Sequence, residues 1–242
     1  MVAIVGAGPG DPALLTVRAR QLLDEAEVVV HDALVSEEIL RTVRGERVDV
    51  GKRRGRHVAE QEEINELLVR LAREGRRVVR LKGGDPLVFG RGGEEMQALK
   101  DAGIAYVVVP GVTSAFAAPA MAGVPVTHRT LAGSVTVVTG HECEELSRDT
   151  LRWQAMAESG HTLVILMGLT NLRAIAARLV QTGRPAQTPV VVVQEATTPR
   201  ERAVWGDLSD IADRVAVAEI RAPATIVVGS VASLAGSLAW RT

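Results

Sequence analysis

The chain has 242 residues, 47% hydrophobic and 24% charged, enough to bury one large core or two small ones with the balance of an ordinary globular protein. Aromatic residues make up 2% and the net charge is −1, which weighs against base stacking and against a nonspecific nucleic-acid coat. The single cysteine, Cys143, excludes an intrachain disulfide and a cysteine-based metal centre, and the five histidines are scattered with no pair at metal-ligand spacing.

In chain order, the first eight residues read as a strand and its turn rather than as a signal peptide. No apolar run approaches the ~20 residues needed to cross a bilayer, so a cytoplasmic protein is expected. Short β-branched runs at 2–5, 28–30, 78–81, 106–109, 135–138, 163–166, 190–193 and 226–228 predict strands. They are mostly continuous, as in strands covered on both faces. Between them apolar residues recur at helical spacing: Ala19, Leu22, Leu23, Ala26; Ile64, Leu67, Leu68, Leu71; Leu172, Ile175, Ala176, Leu179. Gly75, Gly103, Gly123, Gly160 and Gly183 each follow such a segment, where a left-handed cap favours glycine. The alternation predicts an α/β fold. A seam near Pro110-Gly111-Val112-Thr113-Ser114 divides it into an N-terminal α/β domain, 1–112, and a C-terminal α/β domain, 113–242.

Two glycine-rich turns stand out. The first, Gly6-Ala7-Gly8-Pro9-Gly10-Asp11-Pro12, fails the dinucleotide fingerprint because Asp11 occupies the third glycine position. A carboxylate beside a pyrophosphate is electrostatically wrong, and Thr16 is a better helix cap than any residue of the turn. The P-loop pattern fails as well, since Gly51-Lys52 precedes Arg53. The second turn, 82–93, holds five glycines, Pro86, Asp85, Lys82 and Arg91 after a buried-strand run. Glycine there lets backbone approach a ligand closely, at the strand end where open α/β sheets bind ligands. A helix pattern follows at Glu94.

Gly6–Asp11 with Leu15-Thr16, then 82–93, then 110–115 together resemble the tetrapyrrole methylases. That resemblance implies two αβα domains with S-adenosylmethionine held in a cleft between them. Val50-Gly51-Lys52-Arg53, Gln61–Asn65, Arg80–Glu95, Thr127-His128-Arg129 and Thr139-Gly140-His141 resemble the branch of the family that C-methylates uroporphyrinogen III. The likeness extends from Val2 to about Val231. It implies transfer of two methyl groups, to C2 and C7 of uroporphyrinogen III, giving precorrin-2 for sirohaem or cobalamin. No metal is needed, because a sulfonium methyl is already a strong electrophile, and catalysis is chiefly positioning, water exclusion and removal of a ring proton.

The resemblance makes Asp32 the proton acceptor and Lys52 the proton donor. Asp32 follows a strand, where it also reads as a turn carboxylate or a helix cap before Ser36-Glu37-Glu38. His31 stands where the family commonly has tyrosine, which leaves open whether it shares the proton work. Arg53 lies with Lys52 in the densest cationic run, which fits an eight-carboxylate substrate or a solvated loop. His128 and Arg129 form a second cationic point that meets carboxylates or closes the loop at Pro125. Pro9, Gly83, Gly84, Asp85, Val88, Thr113, Ser114, Met167, Ala196 and Ala224 carry over as cofactor residues. Plainer readings stand beside several: Asp85 as turn-former, Thr113 and Ser114 as caps of a helix over 115–122, Met167 as core. Cys143, beside His141, has no orienting third group and reads as structural.

The resemblance also implies a small-molecule tetrapyrrole partner, a homodimer, and neither nucleic-acid nor membrane partners. A stand-alone methylase is expected, without the dehydrogenase and ferrochelatase module some relatives carry. A corrin-ring methylase of the same fold, a nicotinamide-dependent oxidoreductase and a non-catalytic binding module remain as alternatives.

Overall fold

The computed structural model describes residues 1–51, 61–140, 153–157 and 160–238. The chain divides into two compact units, Met1–Thr113 and Ser114–Thr242.

The first unit is built on five strands: β1 (Val2–Gly6), β2 (Val28–His31), β3 (Glu46–Asp49), β4 (Val78–Lys82) and β5 (Tyr106–Val109). All run parallel, in the order β3-β2-β4-β1-β5. The helices α1 (Val17–Glu25) and α2 (Glu37–Leu40) cover one face, around Ala3, Val5, Val29, Val79 and Leu81. The helices α3 (Gln61–Arg73) and α4 (Gly92–Asp101) cover the other, around Ile4, Val28, Val30 and Val78. Burial on both faces is why β1 and β2 read as apolar runs, and β4 as one interrupted only by Arg80 before Lys82 ends it. Thr16 caps α1, its hydroxyl accepting from Ala19 N, while the Asp11 carboxylate accepts from Ala13 N and caps a separate 3-10 turn at Pro12–Leu14. The helix therefore starts well past the glycines, as the failed dinucleotide fingerprint implies.

The second unit carries β6 (Val135–Thr139), β7 (Thr162–Leu166), β8 (Pro189–Gln194), β9 (Arg202–Asp207) and β10 (Ala224–Val228), in the order β6-β7-β10-β8-β9. Its sheet is mixed. Strands β6 and β7 are parallel, β10 runs antiparallel to β7 and β8, and β9 is antiparallel to β8. One face packs on α6 (Trp153–Ala157), α7 (Leu172–Gln181) and α8 (Ile211–Val217) through Leu163, Ile165, Val190, Val192, Ile226 and Val228. The helix α5 (Ser114–Met121) packs against β7, β8 and β10 and buries Ala115, Ala117 and Ala118.

All eight apolar runs form strands. Strands β3 and β9 escape that reading because they are partly exposed and charged or polar residues interrupt them (Glu46, Arg47, Asp49; Arg202, Asp207), whereas the other two edge strands, β5 and β6, keep a run of valines. The five cap glycines all have left-handed φ, between 69° and 112°. The helix expected over 115–122 spans Ser114–Met121, and the one expected from Glu94 begins at Gly92. No helix among the described residues is long and apolar enough to cross a membrane.

Candidate active site

In the first unit three turns converge at the carboxyl ends of β1, β4 and β5. Gly8 and Gly84 exchange backbone hydrogen bonds, Gly8 N to Gly84 O at 3.1 Å and Gly84 N to Gly8 O at 2.8 Å. A Cβ on Gly6 would lie 2.5 Å from Gly111 N and 2.7 Å from Gly84 O, so the convergence requires glycine. The Asp85 carboxylate ties the turns together, Oδ1 accepting from Leu87 N at 2.8 Å and Oδ2 from Gly111 N at 3.1 Å. The turn-forming reading of Asp85 therefore holds, and lone pairs remain on both oxygens for a ligand donor. Beyond it the loop carries two non-glycine residues with left-handed backbone, Phe89 at φ 52° and Arg91 at φ 56°. Such conformations persist where surrounding structure demands them, often at functional sites. Arg91 grips Glu94 with two hydrogen bonds, of 2.8 and 2.7 Å, which hold the Glu94 carboxyl below the usual carboxylate range and raise Arg91.

Asp32 lies at the carboxyl end of β2, two strands from β1, with its side chain 28% exposed. It does not cap α2; the hydroxyl of Ser36 does, accepting from Ile39 N. The Asp32 carboxylate instead faces two cations of β4. Arg80 Nη2 donates to Oδ1, and Lys82 Nζ lies 3.9 Å from Oδ2. Arg80 and Lys82 share one face of β4 with Val78 and are 1% and 3% exposed. Beneath them Glu95 of α4, fully buried, accepts from Arg80 Nε at 2.9 Å and Lys82 Nζ at 2.8 Å through the same oxygen, Oε1. Two cations and two carboxylates thus form a chain from the interior to a partly exposed end, and that end is Asp32. His31 is buried, and its Nδ1 sits 3.2 Å from the Asp32 carbonyl oxygen, a contact favourable only with a proton on Nδ1.

The second unit gathers a different set at one end of its sheet. Met167 follows β7, Ala196 follows β8, and Ala224 opens β10 opposite Gln194. Met167 has φ 55° and is 51% exposed, which overturns its reading as core. Glu195 and Thr197, flanking the buried Ala196, are also left-handed. Gly140 and Gly168, after β6 and β7, meet back to back: a Cβ on Gly140 would lie 3.0 Å from Gly168 N and closer still to its Cα.

The other expected residues are scattered around these two sets. Pro9 lies in the first turn between Gly8 and Gly10, and Val88 N donates to Asp85 O at 3.3 Å. Thr113 precedes α5 and Ser114 is its first residue. His128 and Arg129 are exposed, and backbone bonds between His128 and Ala132 close a tight turn with Arg129 near its tip, which supports the loop-closing reading. Lys52 and Arg53 lie outside the described residues, as do His141 and Cys143. Sequence reasoning did not single out Arg80, Lys82 and Glu95, the residues that join Asp32 in this cluster. The signal was charge at alternate positions of an otherwise apolar buried strand, since such groups are rarely buried unless paired. No group of three or more metal-ligating side chains occurs among the described residues.

A sequence profile of the tetrapyrrole (corrin/porphyrin) methylases matches residues 1–212. The chain is 51% identical over 241 residues to a sirohaem synthase of Chromobacterium violaceum and 50% identical to one of Pseudoalteromonas atlantica. It spans about half the length of the curated relatives it matches, 51% and 52% for these two, against 99% of its own. Among solved structures it resembles a uroporphyrin-III C-methyl transferase of Thermus thermophilus complexed with S-adenyl homocysteine, with TM-score 0.82, 44% identity, and coverage of 96% of this chain and 99% of that one. A cobalt precorrin-4 methyltransferase follows the same fold at TM-score 0.84 and 32% identity, covering 96% of this chain and 95% of the other. With a match over most of its length and a closely superposable fold, the chain belongs to the tetrapyrrole methylases.

Proposed function

We propose that this chain methylates uroporphyrinogen III at C2 and C7 with S-adenosylmethionine, giving precorrin-2 in sirohaem or cobalamin synthesis. The observation that carries the reading is 44% identity, end to end, to the Thermus thermophilus C-methyl transferase complexed with S-adenyl homocysteine.

The residues present fit the cofactor. The bare backbone of Gly83 and Gly84 suits close approach, Asp85 retains acceptor capacity for an ammonium or ribose hydroxyl, and the exposed Met167 thioether suits an adenine ring. Pro9, Val88, Thr113, Ser114, Ala196 and Ala224 complete the proposed cofactor set. When bound, S-adenosylmethionine supplies an electrophilic methyl on sulfonium sulfur. Attack of the pyrrole carbon on the sulfonium methyl breaks the sulfur–methyl bond and leaves a quaternary ring carbon and a cationic macrocycle. Asp32, held by Arg80 and the only partly exposed member of its charge chain, takes the proton that the macrocycle then sheds elsewhere to become neutral. Lys52 is the proposed proton donor, and Arg53, His128 and Arg129 are proposed to meet substrate carboxylates.

Incubation with uroporphyrinogen III and S-adenosylmethionine should give a mass gain of two methyl groups; no gain would sink the reading. S-adenosylhomocysteine, but not NAD, should raise the melting temperature by mass action. A corrin-ring substrate is the second reading, favoured by the 32% identity to the cobalt precorrin-4 methyltransferase, and the same assay on a precorrin distinguishes it. Family likeness further supports a cytoplasmic homodimer without nucleic-acid or membrane partners. Light scattering that returns the mass of one chain, 25.7 kDa, would refute the dimer.

A further inference from the structure

We propose that Glu95 is a positioning residue: acting through Arg80 and Lys82, it sets the orientation and the working charge of Asp32. The inference rests on Asp32 being the base of the methyl transfer proposed above.

Three observations carry it. Glu95 touches neither Asp32 nor solvent, yet both cations that face Asp32 are anchored on its single oxygen Oε1. Arg80 is the mechanical link. Its Nε is fixed by Glu95 and its Nη1 points at the carbonyl oxygens of Val30 and Leu81, at 3.4 and 3.3 Å. That leaves Nη2 aimed at Asp32. Finally, Oε2 of Glu95 is buried with no hydrogen-bond partner among the described residues, and Gln61 Nε2, at 3.4 Å, adds only a long bond to Oε1. A buried charge cluster with an unsatisfied oxygen is a poor device for stability, since apolar side chains of similar volume often serve as well or better. Its presence fits a task at its exposed end.

The electrostatics give the sign. Among the described residues the charged groups facing Asp32 are Arg80 and Lys82 from β4, with His31 beside it on β2 and Glu95 behind the cations on α4. Two cations are shared by two carboxylates. Neutralising Glu95 leaves both cations to Asp32 alone, so its carboxylate is over-stabilised and is a weaker base. Breaking the Arg80 bridge while keeping its charge does the reverse, because Asp32 loses its hydrogen-bonded partner.

The test is the pH profile of methyl transfer at saturating substrate for the wild type, Glu95→Gln and Arg80→Lys. The substrate's own carboxylates titrate alike in all three, so only differences between enzymes are read. The proposal expects the acid limb to move to lower pH in Glu95→Gln and to higher pH in Arg80→Lys. Plateau rates should fall roughly tenfold or more in each, with S-adenosylhomocysteine binding unchanged. A purely structural role would lower the plateau and leave both limbs in place, and that result overturns the proposal. If Glu95→Gln does not fold, the direction of the Arg80→Lys limb decides alone. A wild-type enzyme without methyl transfer would indict the function instead, and a fully active Asp32→Asn would indict the base assignment on which the inference stands.

Discussion

The two sheets solve the same problem with different chemistry. In both, glycines after neighbouring strands let backbone segments meet at one end of the sheet, Gly6 with Gly111 in the first unit and Gly140 with Gly168 in the second. In the first, all five strands are parallel, and beside the glycines lie Arg80, Lys82, Glu95 and Asp32. In the second, the sheet is mixed and the corresponding end presents a half-exposed methionine and small residues. The buried arginine of the second unit, Arg184, donates to the carbonyls of Met156 and His161 rather than to a carboxylate, and burial lowers its proton affinity. The contrast teaches where proton chemistry can occur. Paired buried charges with a partly exposed end belong to the first unit, whereas the second offers shape and apolar contact.

The strongest way to break that division is Asp32→Asn. Methyl transfer should fall about 10²- to 10⁴-fold, while S-adenosylhomocysteine still raises the melting temperature. Unchanged turnover would leave the first unit with no distinctive chemistry. Next in size, Arg80→Met should cost about 3–5 kcal/mol in urea denaturation, because Glu95 is left buried with a reduced set of partners. The matching Arg184→Met should cost only about 1–3 kcal/mol, the price of carbonyls losing their donors. Equal losses would erase the contrast between paired and unpaired buried arginine.

Gly111→Ala and Gly140→Ala test the shared feature. Each forces a methyl group against backbone, so each should destabilise by about 1–3 kcal/mol, read from the urea midpoint. A smaller expected effect is that of Met167→Ala. Stability should stay within about 0.5 kcal/mol because the side chain is half exposed. Affinity for S-adenosylhomocysteine should drop by the ~0.3–1.5 kcal/mol of a sulfur–aromatic contact, measured by calorimetry. The smallest concerns Asp210, which joins β9 to α8. The hydrogen bond from Asp207 N, and then Arg214, hold its carboxyl below its ordinary value near 3.8. Its contribution is therefore present above that value and lost as pH falls through the lower folded-state value. The melting-temperature advantage of the wild type over Asp210→Asn should be seen at about pH 6 and vanish by about pH 2.

Much of this was legible in the residues themselves, for a physical reason. Strands buried on both faces are apolar save where charges are paired, helices over a sheet must repeat every three to four residues, and a left-handed cap favours glycine. These are local requirements, so eight strands, three helical stripes and five caps could be read from neighbouring letters alone. The displaced start of α1 was readable in the same way, from Asp11 and Thr16. The role of Asp32 came from likeness, and its position after β2 from a local run. Only the tertiary structure decided the rest. Strands β3 and β9 lack an apolar run, and the mixed direction of the second sheet is a matter of pairing between distant segments. Arg80 and Glu95 stand 15 positions apart, and Arg80 and Asp32 48 apart. What joins them is the parallel register that sets Val30 beside Arg80, with α4 laid over that face, and no local pattern encodes such a meeting.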